Sequence, residues 1–201
     1  MLDIRSQLAD QFTFSDLRGK GYRLVESQEQ VATNQLVDSF EEQDLLEQML
    51  EQSKPCAPPQ SDSLHYLLWT PFRYPPLKHG SRFGSRFEAS LFYASQQASS
   101  ALAESAYYRL LFWSGMAQPP DEPIIGQHSL FSIRYASNKG VALHQPPFTP
   151  FIDQIKHPSD YRSSQQLGSK LREQGTELIE FISARDPNNG INIALYTVQA
   201  I

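Results

Sequence analysis

The segment HGSRFGSRFEASLFYASQQASSALAESAYYR, residues 79–109, changes its period halfway along. Residues 90–95, SLFYAS, are aromatic and apolar over a length that suits a strand. From Gln97 to Trp113, the residues Ala98, Ala101, Leu102, Ser105, Tyr108 and Phe112 recur on one helical face, with small side chains that permit close packing on a sheet. A glycine-flanked arginine, Arg82, precedes the strand, Tyr93 lies within it, and Glu104 interrupts the small residues of the helix.

Working outward, the flanks carry the same mixture. Residues 1–21 read as a short lead of helical character, broken at Gly19 and Gly21, with a short strand over 22–25. Residues 27–52 show helical spacing with Ser27 and Gln30 as a capping box, and 53–63 form a Pro-rich polar loop. Residues 64–77, LHYLLWTPFRYPPL, read as an extended aromatic segment in which Arg73 stacks on rings. Beyond the opening segment, 123–137 and 140–150 read as two strands, and 159–174 as a helix stopped by Gly175. The C-terminal ELIEFISARDPNNGINIALYTVQA reads as two strands around a polar turn. The expectation is one mixed α+β domain with four or five strands.

The 201 residues suffice for one core, and 40% hydrophobic with 19% charged residues mark a globular chain. A net charge of −5 and no basic block give direct nucleic-acid binding no electrostatic support. The N-terminus carries no signal-peptide pattern and no apolar run is long enough for a bilayer, so a cytoplasmic protein without a membrane is expected. The single cysteine, Cys56, reads as a loop thiol, and the five histidines lack metal-site spacing. Neither a dinucleotide fingerprint nor a phosphate-binding P-loop is present.

Several residues admit two readings. Arg82 between Gly80 and Gly84 is either a solvated turn arginine or a phosphate ligand beside an approachable backbone. Tyr93 is either a core aromatic or a cleft wall. Glu104, on or beside a buried face, needs a partner or a task; the plain version is an ion pair with an arginine, for which Arg82 is the candidate. Ser183, at the end of LIEFI, either aims a hydroxyl at a ligand or belongs to the DPNNG turn.

Taken in order, the motifs YRLVES, GSRFG, SLFYAS, SALAES and ISARDP resemble the RES-domain family, from about Tyr22 to the C-terminus. The resemblance implies a single domain with a bent, split sheet and flanking helices, like bacterial ADP-ribosyltransferase toxins. It implies NAD as substrate rather than as a prosthetic group, with no metal. Cleavage of the nicotinamide–ribose bond by water or phosphate is the leading expectation. Protein ADP-ribosylation is the alternative, and a non-catalytic nucleotide-binding or interaction module is a further one. Family members are typically toxins neutralised by an Xre-type helix-turn-helix antitoxin, and a homodimer is a further expectation. Carried over, Glu104, Arg82 and Tyr93 are the catalytic set, and Arg23, Tyr22 and Ser183 bind substrate. Arg23 and Arg82 would take the diphosphate or the attacking phosphate, Tyr93 the nicotinamide end, and Glu104 the ribose. The residue two before Glu104, where some transferases activate a protein acceptor, is Leu102. Compact members lack the helix and Pro-rich loop that occupy about 27–78 here.

Overall fold

The computed structural model of the protein describes residues 12–27, 36–119 and 121–201. The elements run β1 (Ser15–Glu26), α1 (Phe40–Ser53), α2 (Tyr66–Arg73), β2 (Phe92–Ser95), α3 (Ala98–Ser114), β3 (His128–Ala142), α4 (Ile152–Ile155), α5 (Arg162–Glu173), β4 (Leu178–Ile182) and β5 (Ile191–Leu195). This is a mixed helix-and-strand domain with helices flanking one sheet. The sheet bends until it closes, in the order β1-β2-β5-β4-β3. Only β3 and β4 run parallel, through Gly140–Ala142 and Leu178–Glu180.

Closure is uneven. β1 and β3 share a long antiparallel ladder from Ser15/Gly140 to Glu26/His128. β1 and β2 meet at one register pair, Tyr22 with Ser95. Side chains alternate on the short strands. Ile179, Phe181, Ala194 and Tyr196 face a core with Phe83, Phe148, Leu167 and Leu171 beneath α4 and α5. Leu178, Ile193 and Leu195 face the other way, with Phe92, Ile133 and Tyr135. Burial of this kind is worth roughly 25 cal/mol per Å² of apolar surface, which is why the strand pattern outweighs local propensity.

Several sequence expectations are corrected by this packing. Gly19 and Gly21 lie inside a twelve-residue strand rather than breaking a helix. A Cβ on Gly21 would meet Ile193 Cδ1 at 2.9 Å, so the glycine lets the strands approach. The capping pair moves to Ser39 and Glu42: Ser39 Oγ accepts the Glu42 N–H at 3.2 Å and starts α1 at Phe40. Gln30 lies outside the described residues, and the Ser27 N–H donates to Gln127 O at 2.9 Å. The segment expected to be extended contains α2 despite Pro71, because Leu68 and Phe72 at i and i+4 pack on the second core and Phe72 stacks on Phe92. The two strands expected over 123–150 are one, β3. The anticipated face of α3 is buried only at Ser100 and Ala101, while Leu102, Tyr108 and Phe112 are exposed, since only the start of the helix meets the sheet. Cys56 is exposed and unpaired. No helix among the described residues is long and apolar enough to cross a membrane.

The loop bearing Arg82 is clamped by α5. A Cβ on Gly168 would lie 2.6 Å from the carbonyl carbon of Phe83 and 2.8 Å from its Cα. Gly168→Ala is therefore expected to destabilise the protein by about 1–3 kcal/mol, read as a lower denaturant midpoint at unchanged slope.

Candidate active site

A cleft of about 330 Å³ opens where β1 and β2 part, within the size range of small-molecule sites. β1 contributes Tyr22, Arg23 and Leu24, and β2 contributes Tyr93 to Ser95. The loop before β2 brings His79 to Arg82, and α3 brings Ala101, Glu104, Ser105 and Tyr108. The sheet folds this way because β1 twists off from β2 after a single pair, which leaves the Tyr93 carbonyl without a ladder partner on β1. Arg23 Nη1 donates to that carbonyl at 2.7 Å.

Both arginines are held without acids. The Arg23 guanidinium lies 4.7 Å from the Phe92 ring centroid, and its Nε is shut off from solvent with no partner. Burial pulls its pKa down to about 10, which still leaves it cationic at neutral pH. Arg82 is 7% exposed, donates from Nη1 to the carbonyls of Ile155 and His157 at 2.9 Å each, and stacks 4.4 Å from the Tyr161 ring. Its Nη2 has no partner. Among the described residues neither arginine makes an ion pair, so the anticipated bond between Glu104 and Arg82 is not formed. Buried cations with unpartnered N–H groups are costly unless an anion meets them. Two of them on one small cleft are suited to an anionic ligand with several oxygens.

Glu104 faces the same cleft. Its Oε1 accepts the Ser183 hydroxyl at 2.6 Å and the Asn192 side-chain N–H at 2.8 Å. Ser183, 2% exposed, in turn accepts the N–H groups of Arg185 at 3.1 Å and Asp186 at 3.0 Å. Asp186 accepts the Ser100 hydroxyl near the start of α3, so the turn after β4 is tied to the helix that carries Glu104.

The aromatic walls are committed too. The Tyr93 hydroxyl accepts the Phe83 N–H at 3.1 Å and shares a hydrogen bond with Ser81 Oγ at 2.9 Å, so it shapes the arginine loop. Burial raises the pKa of that phenol. The Tyr108 and Tyr161 hydroxyls meet at 2.8 Å, and burial followed by this contact holds Tyr108 well above the usual tyrosine range. Arg185 donates to the Tyr161 hydroxyl at 3.3 Å and covers the Tyr107 ring at 3.4 Å.

Of the residues anticipated from the sequence, Tyr22, Arg23, Arg82, Tyr93 and Glu104 line one cleft. Ser183 does not line it and stands behind Glu104. Sequence reasoning missed Asn192, Ser95 and Tyr161. An amide in the apolar run INIAL was the available signal for Asn192; Tyr161 had none beyond being an aromatic before a helix. Among the described residues no group of three or more His, Cys, Asp or Glu side chains is placed to hold a metal ion.

A family model described as the RES domain matches residues 57–200, well over half of the chain. The span takes in Arg82, Tyr93, Glu104, Ser183 and Asn192, and leaves Tyr22 and Arg23 ahead of it. Among solved structures, a chain from the crystal structure of the M. tuberculosis MbcT–MbcA toxin–antitoxin complex is similar, at 10% identity and a TM-score of 0.47. The similarity covers 90% of this chain and 75% of that one. No curated protein matches.

Asp186 gives a pH test of the turn behind the site. Its bonds from the Ser100 hydroxyl and the Asn188 N–H at 2.9 Å hold its carboxyl below the usual range. A carboxyl whose pKa falls on folding adds stability above its unfolded pKa of about 3.9, and loses it as pH drops through the folded value. The stability advantage of the wild type over Asp186→Asn is thus expected to be full near neutrality and to shrink below about pH 4. Denaturant midpoints across that range check it; a difference independent of pH contradicts it.

Proposed function

The chain belongs to the RES-domain family, and from that premise we propose that it consumes NAD by cleaving the bond between nicotinamide and ribose. The observation that carries the reading is the pairing, in one cleft, of two acid-free guanidinium groups with one oriented carboxylate. Arg23 and Arg82 bind the diphosphate through the parts of their guanidinium groups that border the cleft. Glu104 faces the ribose of the scissile bond.

The chemistry asks little acid catalysis of the protein. Nicotinamide in NAD is a cationic leaving group and departs neutral, so it needs no proton. Positive charge grows on the ribose, and a fixed carboxylate beside it lowers the barrier. In this reading Tyr93 and Tyr22 wall the cleft, and Ser183 steadies Glu104. The acceptor is water or phosphate, consistent with the small cleft and with an apolar Leu102 two positions before Glu104. The family's usual role makes the protein the toxin of a toxin–antitoxin pair, acting in the cytoplasm and restrained by a helix-turn-helix antitoxin.

Purified protein is expected to release nicotinamide from NAD, leaving ADP-ribose, or its phosphate if phosphate is the acceptor. Glu104→Gln should slow release by about 10²-fold or more while the melting temperature is kept. Arg82→Lys should raise KM more than it lowers kcat. Full turnover in Glu104→Gln removes Glu104 from the chemistry. A labelled protein band in place of free ADP-ribose redirects the reading to protein modification.

A further inference from the structure

The two oxygens of Glu104 have different surroundings. Oε1 receives two hydrogen bonds, and among the described residues none reaches Oε2. The donor from Ser183 is settled by its own turn: its oxygen accepts two backbone N–H groups, so its proton goes to Glu104. The donor from Asn192 has a different origin.

A side-chain amide can face either way, and a neighbour must choose for it. Ser95 stands directly opposite Asn192 in the β2–β5 ladder. Its hydroxyl donates to Asn192 Oδ1 at 2.6 Å, and the acceptor-only Glu104 carboxylate takes Nδ2 at 2.8 Å. The opposite orientation sets a carbonyl oxygen against the carboxylate. Ser95 and Asn192 are 3% and 5% exposed, so an unmade bond between them would be costly. Aspartate at 192 places like charges together, and leucine leaves Ser95 unpaired and Oε1 with the Ser183 hydroxyl alone.

We propose that Asn192, braced by Ser95, is a positioning residue that saturates Glu104 Oε1 and leaves Oε2 as the oxygen presented to the reacting ribose. The proposal rests on reading Glu104 as the carboxylate of NAD cleavage. The other titratable or charged groups lining the cleft around Glu104 are Tyr22, Arg23, His79, Arg82, Tyr93, Tyr108 and Tyr161, and the variants below leave all of them in place.

The test titrates the Glu104 carboxyl by NMR in protein labelled with ¹³C at the glutamate side chains, with Glu104→Gln assigning the signal. In Asn192→Ala, which removes the donor and adds no charge, the Glu104 signal should titrate higher than in wild type. The acid limb of kcat for nicotinamide release should move up with it, with KM for NAD little changed. Ser95→Ala should move both in the same direction by less, and serves if Asn192→Ala does not fold. An asparagine that only supports the fold would lower the melting temperature and leave the titration where it was. An unmoved Glu104 signal in a folded variant overturns the proposal. If wild type releases no nicotinamide, the NAD reading fails, and the Glu104 titration still decides the role of Asn192.

Discussion

The hydrogen bond from Arg23 to the Tyr93 carbonyl spans the place where the closed sheet comes apart. β1 and β2 share one register pair, and past it the strands diverge. A fully zipped seam would leave no cleft, and an unbridged one would leave a buried carbonyl unpaired. The arginine resolves this, and in doing so places a cation with no acid partner on the cleft wall. The opening in the sheet and the charge within it thus have a common origin.

The remaining site parts are each fixed by a contact distant in sequence. The Arg82 loop is held by the Tyr93 hydroxyl and by α5 against Phe83. Arg82 is held by the carbonyls of Ile155 and His157 and by the Tyr161 ring. Glu104 is held by the turn after β4 and by β5. The anions expected to satisfy the arginines are those of the proposed substrate, so the site is preorganised at some cost in electrostatic energy. Tyr108 and Tyr161 share a hydroxyl bond beside Arg82.

Much of this was legible from residues 79–109 and 178–195. The aromatic run before an Ala-rich helix and the two C-terminal strands follow the pattern of alternate burial, and the structure keeps them. Arg82, Tyr93 and Glu104 fit a family pattern whose order along the chain is visible in sequence. Other features depend on partners that sequence does not pair. Gly21 breaks a helix by propensity, yet serves a close approach to Ile193 in a strand. Pro71 argues for extended chain, yet Leu68 and Phe72 gain enough burial for a short helix. Asn192 looks like a polar residue beside a turn until Ser95, almost a hundred positions away, meets it across the ladder. Ser183, read from the sequence as facing a ligand or belonging to the turn, gives its proton to Glu104, a contact between residues 79 positions apart that sequence does not pair.

The central claim is that one cleft brings the diphosphate to Arg23 and Arg82 and the ribose to Glu104. The most direct test is a crystal structure of the Glu104→Gln variant soaked with NAD. The account predicts diphosphate oxygens on the Arg23 and Arg82 guanidinium groups, with the nicotinamide ribose against residue 104. A nucleotide bound elsewhere, or in this cleft with its diphosphate away from both arginines, would contradict it.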